Sequence, residues 1–81
     1  MSNKVSYVTK EGLKKLQEEL ERLQNVERPK ISKAIGEAIE KGDISENAEY
    51  DAAKDAQGLL EAKIAQLKDT IATCRVIDES Q

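Results

Sequence analysis

The stretch KGDISENAEYDAAKD, residues 41–55, sets five carboxylates, Asp43, Glu46, Glu49, Asp51 and Asp55, against two lysines. Three kinds of chemistry suit such a run. The plainest is helix capping: Asp43 as N-cap and Glu46 three positions later form a capping-box arrangement, and acid at a helix N-terminus is favourable by a few tenths to about 1 kcal/mol. A cap uses one carboxylate oxygen and leaves the other free. Two exposed carboxylates on a turn can also supply one or two ligands to a hydrated Mg²⁺ whose remaining ligands come from a partner or a substrate phosphate. In two-metal phosphodiester chemistry an ion held this way activates water for in-line attack. A calcium loop fits worse. Asp43, Ser45 and Asn47 alternate as in an EF-hand, but Ala48 stands where the sharp turn needs Gly, and Lys54 where a bidentate Glu should close the shell. Spacing leaves capping and magnesium both open.

The elements that must position this acid are helical. In YVTKEGLKKL, Thr9 is a good N-cap, Glu11 lies in the first turn, and Val8 can staple against Leu13. Leu13, Leu16, Leu20 and Leu23 follow at spacings of three and four, a coiled-coil seam. Pro29 interrupts the pattern and predicts a kink or short break around Val26–Pro29. The rhythm resumes as Ile31, Ala34, Ile35, Ala38 and Ile39, and Gly42 supplies the stop through a left-handed conformation. A second arm runs from about Glu46 to Arg75, with Ala53, Ala56, Leu60, Ile64, Leu67, Ile71 and Cys74 on its seam. The segment RVIDES is short and β-branched like VSYV at the other end, and the two could meet at the base.

Two arms of similar length joined by a few residues predict an all-α fold: a long antiparallel coiled-coil hairpin, its first arm kinked near Pro29. The expected organisation is an N-terminal segment 1–8, a hairpin 9–75 with arms 9–42 and 46–75 and a tip at 42–47, and an exit 76–81. Folding about residues 44–46 sets Leu13 opposite Ile77, Leu16 opposite Cys74, Leu23 opposite Leu67, and Ile31 opposite Leu59 or Leu60. Near the turn the seam is Ala34, Ala38, Ala48, Ala52, Ala53 and Ala56, whose small side chains let helix axes approach. Each arm should span roughly 45 Å at 1.5 Å per residue. The sequence thus describes a slim rod with acid at its point.

Totals narrow the function classes. With 81 residues, 36% of them charged, and two tyrosines as the only aromatics, the chain cannot build a large globular core, whereas two-helix packing needs only a narrow apolar seam. A net charge of −3 offers no electrostatic case for the whole chain as a nucleic-acid binder. One Cys excludes an internal disulfide, and the absence of His argues against a transition-metal site. No apolar run suggests a signal peptide or a membrane span, so a cytoplasmic setting is expected.

The block G-D-x-x-E-N-A-E-Y, together with YVTKEGLKKLQEEL, ERPKI and AAKDAQG in the same order, resembles the N-terminal coiled-coil domain of the bacterial transcript cleavage factors GreA and GreB, closer to GreA. The likeness covers residues 6–78. It implies a transcription elongation factor that enters the secondary channel of RNA polymerase and stimulates the polymerase's own cleavage of backtracked RNA near its 3′ end. On this resemblance Asp43 and Glu46 support a second Mg²⁺ shared with the polymerase and help orient a water, with no metal expected on the free tip. Ile44, Ser45, Asn47, Glu49 and Tyr50 would shape the tip and its contacts, Ser45 tuning activity without being required. The basic residues Arg28, Lys30, Lys33 and Lys41 become candidates to face extruded RNA, beside the plainer reading as solvated surface. The chain would not be an enzyme by itself, and family members continue into a C-terminal globular domain beyond a stretch of this length.

Other residues read more simply. Cys74 is expected as a buried seam thiol, Tyr50 as a ring packed across the hairpin end, and Gly36 as tolerated in an arm at roughly 1 kcal/mol relative to Ala. Two rivals stand beside the cleavage factor. One is a channel-entering relative that inhibits polymerase, and the other a structural coiled coil whose tip acids merely cap.

Overall fold

A computed structural model describes residues 5–77; the outer parts of the N-terminal segment and of the exit, residues 1–4 and 78–81, lie outside the described residues. The chain opens with strand β1 (Ser6–Val8) and enters helix α1 (Lys10–Arg22) through Thr9, whose hydroxyl accepts the Gly12 N–H at 2.9 Å. This cap satisfies one of the helix's orphan donors. A π-helical turn (Leu23–Glu27) leads into α2 (Arg28–Glu40), a one-turn 3₁₀ helix (Ile44–Glu46) follows, and α3 (Ala48–Thr73) returns to strand β2 (Cys74–Val76). The molecule measures 61 × 25 × 12 Å.

The π turn stands where the sequence suggests a break. Backbone angles stay right-handed helical at Arg22, Leu23, Glu27 and Arg28, and the Arg28 N–H reaches back five residues to the Leu23 carbonyl. Proline lacks an N–H and crowds the carbonyl four residues before it. A locally wider spiral over Leu23–Glu27, closed by the Arg28 N–H just before Pro29, carries the helix past that obstacle, so the first arm is continued by a π turn rather than interrupted at Val26–Pro29.

The two arms fold back on each other about the loop. Lys41 pairs with Glu49 beside the turn, and Arg28 pairs with Glu61 midway. Further along, Leu23, Leu60 and Ile64 are buried, with Leu20, Ile31 and Leu67 packed against them. Leu23, Leu67, Ile31 and Leu60, anticipated as facing residues, thus all belong to one cluster, and Leu59 is left 73% exposed. The alanine seam is narrower than its spacing suggested: Ala38 and Ala53 are buried, Ala56 is half-buried, while Ala34, Ala48 and Ala52 face solvent. A side chain added at Gly36 would meet nothing within 4 Å, so no close approach demands glycine there. Gly42 leaves the arm at a φ of 159°, a positive angle that residues with a side chain rarely adopt, so the stop does rest on glycine, though well away from the αL angle of about +57°.

The base departs from a purely helical hairpin. β1 and β2 pair in parallel, Ser6 with Cys74, Tyr7 with Arg75 and Val8 with Val76, and the Ile77 N–H adds a bond to the Val8 carbonyl at 2.7 Å. Ser6–Val8 and Cys74–Val76 meet as their β-branched composition suggested, and Cys74, the anticipated partner of Leu16, lies in a strand rather than a helix. Helix α3 stops at Thr73 because Cys74 is extended, with φ −80° and ψ 156°. Cys74 is half-buried rather than a core thiol, its Sγ–H pointing to the Ile71 carbonyl at 3.3 Å. No helix among the described residues is long and apolar enough to cross a membrane.

Candidate functional site

The tip is built by two Asx side chains in series. Asp43 caps the 3₁₀ turn, its Oδ1 accepting the Ser45 N–H at 3.1 Å and the Ser45 hydroxyl at 3.0 Å. Backbone bonds from Glu46 N–H to the Asp43 carbonyl and from Asn47 N–H to the Ile44 carbonyl complete the turn. Asn47 then caps the long second arm, its Oδ1 accepting the N–H groups of Glu49 and Tyr50 at 3.0 and 3.1 Å. The anticipated cap was Asp43 with Glu46 as its reciprocal partner. The helix instead starts one turn later, since Asn47 presents the same capping chemistry directly before the regular repeat.

This shift releases Glu46. Its carboxylate lies exposed, with no hydrogen bond or ion pair to the described residues, and Asp43 keeps its second oxygen uncommitted. Asp43 and Glu46 line one open concavity of about 400 Å³, with Glu49, Asn47 and Lys41 on its walls. Glu49 is held by the Lys41 ammonium at 3.1 Å, so the nearest cation is already engaged. Glu49 and Asp51 also lie in the first turn of α3, where the helix dipole favours acid. The tip acids thus divide in two. Glu49 and Asp51 serve the helix, and Asp43 and Glu46 face outward together.

Ile44 is 47% exposed beside them and Ser45 is exposed, while Tyr50 is half-buried behind the cap. Among the basic candidates Arg28 is committed to Glu61, whose two carboxylate oxygens raise its pKa further, chiefly through the hydrogen bonds, and Lys41 to Glu49. Lys30 and Lys33 are exposed.

The donor set at the concavity is hard, anionic oxygen, which suits Mg²⁺. Among the described residues no three His, Cys, Asp or Glu side chains gather as a cation-binding group. Asp43 and Glu46 could supply no more than a partial set, one or two ligands. The feature the sequence reading underweighted is Asn47, whose side-chain Nδ2 also donates to the Ala38 carbonyl on the opposite arm at 2.6 Å. Its signal was legible in principle: an Asn followed at once by Glu49 and Asp51 is a helix start in its own right.

Comparison with known proteins covers nearly the whole of the described chain. The model of the family described as "Transcription elongation factor, N-terminal" (GreA_GreB_N) fits residues 6–76. The chain belongs to this family. Transcription elongation factor GreA of Christiangramia forsetii is 68% identical over 79 residues, which cover 98% of this chain and 50% of that protein. GreA of Flavobacterium johnsoniae is 63% identical over the same shares, and GreA of Mycoplasma pneumoniae is 53% identical over 94% of this chain and 48% of its own length. The GreA/GreB N-terminal family resemblance therefore leans to the GreA side. The chain spans about half the length of these curated relatives.

Proposed function

We propose that this chain is the polymerase-entering part of a cytoplasmic transcription elongation factor. In this reading its arms form an antiparallel coiled coil, slim enough to pass along the secondary channel of bacterial RNA polymerase and present the tip to the polymerase's catalytic centre. Asp43 and Glu46 contribute carboxylate oxygens to a second Mg²⁺ shared with the polymerase and accept a hydrogen bond from the attacking water. An ion bound there would supply charge neutralisation for an in-line displacement. The polymerase cuts its own backtracked RNA near the 3′ end, and the chain stimulates that reaction without being an enzyme.

The observation that carries this reading is the shared outlook of Asp43 and Glu46 at the exposed end of a molecule 61 Å long and 12 Å thin. A pair of carboxylates that only capped a helix would be turned inward onto backbone N–H groups. Here Asp43 turns only Oδ1 that way, onto the Ser45 N–H, and Asn47 caps the long arm, leaving Glu46 without a structural task. In this reading Ile44, Ser45, Glu49 and Tyr50 shape the tip's contacts, and Lys30 and Lys33, exposed and outside the ion pairs that hold Arg28 and Lys41, meet extruded RNA.

Cleavage assays on stalled elongation complexes test it. The chain should accelerate RNA cleavage over polymerase alone, and Asp43→Asn or Glu46→Gln should abolish the acceleration while the hairpin stays folded. Full activity in both variants would sink the mechanism.

A further inference from the structure

Asn47 fastens three separate pieces of the tip with one amide. Its oxygen accepts two N–H groups that open α3, and its Nδ2 donates to the carbonyl of Ala38, the buried residue near the end of α2. That carbonyl also accepts the Lys41 N–H at 3.2 Å, in the turn that ends the helix. The loop bearing Asp43 and Glu46 is therefore closed where it leaves the first arm and where it joins the second. The requirement is chemically narrow. A short planar group must accept on one side and donate on the other, which an amide does and neither a carboxylate nor a hydroxyl at that reach can do.

The bonds inside the loop, from Ser45 and Glu46 to Asp43 and from Asn47 to Ile44, shape it locally but do not tie it to the opposite arm. The other tie beside the turn is the Lys41–Glu49 pair, whose side chains are 63% and 60% exposed. An exposed pair of that kind holds geometry weakly, because solvent screens it and both chains are long. The half-buried amide is the stiffer tie.

We infer that Asn47 is a positioning residue: its clamp onto the Ala38 carbonyl fixes the separation and aim of the Asp43 and Glu46 carboxylates. Asn47 lines the same concavity, but both polar ends of its amide are taken up by backbone groups. It acts through the loop, and the inference rests on the proposed role of that acidic pair. Two oxygens that must meet one ion and one water gain from such fixing, since a misplacement of about an ångström costs on the order of a hundredfold in rate.

Asn47→Asp and Asn47→Ser separate the clamp from the cap. Both keep an oxygen able to cap α3, and both lack a donor that reaches Ala38. Stimulated cleavage would be measured against factor concentration and against Mg²⁺ concentration, with circular dichroism for the helices and Asp43→Asn alongside. The expected result is a maximal cleavage rate lowered on the order of tenfold or more and a raised half-saturating Mg²⁺. The half-saturating factor concentration and the helical signal should stay as in the wild type. Wild-type rates in both Asn47 variants, with Asp43→Asn inactive, would overturn this inference alone. Loss of helical signal, or a loss of rate matched by weaker half-saturation at unchanged Mg²⁺ dependence, would make Asn47 merely structural and overturn it as well. An active Asp43→Asn would overturn the tip reading and this inference with it.

Discussion

Arg28 grips Glu61 across the two arms with both ends of its fork, Nε to Oε2 at 2.8 Å and Nη2 to Oε1 at 2.6 Å. Such a fork-to-fork arrangement fixes one geometry where a single contact would allow many. It ties the first turn of α2 to the middle of α3, close to the Leu23–Leu60–Ile64 cluster. Arg28 entered as a candidate to face RNA, and its charge is instead already answered within the hairpin.

The pair should write itself into the acid stability of the molecule. The hydrogen bonds from Arg28 hold the Glu61 carboxyl below the ordinary glutamate range, helped by the Arg28 charge and opposed by partial desolvation. A carboxyl whose folded pKa lies below its unfolded one stabilises the fold above the unfolded value, and that contribution disappears as pH falls through the folded value. Wild type should therefore melt above Glu61→Gln at neutral pH, and the two melting curves should converge below the usual glutamate pKa of about 4.3. Thermal melts by circular dichroism across that range check it. A gap that persists unchanged in strong acid would rule out the pair as its source. Added salt should also narrow the gap, since both side chains are more than two-fifths exposed.

Two adjacent leucines make a sharper stability test. Leu60 is 6% exposed within the central cluster and Leu59 is 73% exposed on the outer face. Leu60→Ala should cost about 3 kcal/mol in urea unfolding, from lost transfer free energy and the cavity left behind. Leu59→Ala should stay within about 0.5 kcal/mol of wild type. Similar costs at both positions would mean that the arms meet in another register.

Ser45 offers a graded test of the tip. Its hydroxyl and its N–H both bond to Asp43 Oδ1, so Ser45→Ala removes one of two restraints on that carboxylate. Cleavage stimulation should fall by no more than a few-fold, within the roughly 0.5–1.5 kcal/mol that one such hydrogen bond contributes. A loss as complete as that expected for Asp43→Asn would give Ser45 a direct part in the chemistry.

Much of the hairpin was legible because its seam repeats. Leucines and isoleucines at spacings of three and four, folded about a short acidic turn, brought Leu23, Leu67, Ile31 and Leu60 into one cluster without coordinates. The meeting of Ser6–Val8 with Cys74–Val76 was legible too, from β-branched residues at both ends. What stayed hidden was local. Pro29 announced an obstacle, but composition does not say whether a helix breaks there or widens into a π turn over Leu23–Glu27. At the tip, Asp43 and Asn47 are nearly equal as caps by residue type. The choice fell to Asn47 because its amide can also bond Ala38 across the turn, a tertiary contact that no local pattern encodes. The same blindness made Arg28 look like spare positive charge, since its partner is 33 residues away in sequence.

The parallel ladder at the base has a mechanical consequence. Because β1 and β2 run the same way, the chain's outward directions leave from opposite ends of the paired strands. Tension applied to the two ends would load every rung of that ladder at once, in shear. Beyond it, the arms are held in the geometry of a zipper and would part turn by turn. The molecule is therefore latched at its mouth, and a pulling trace should show one abrupt yield before a softer, progressive opening toward the tip.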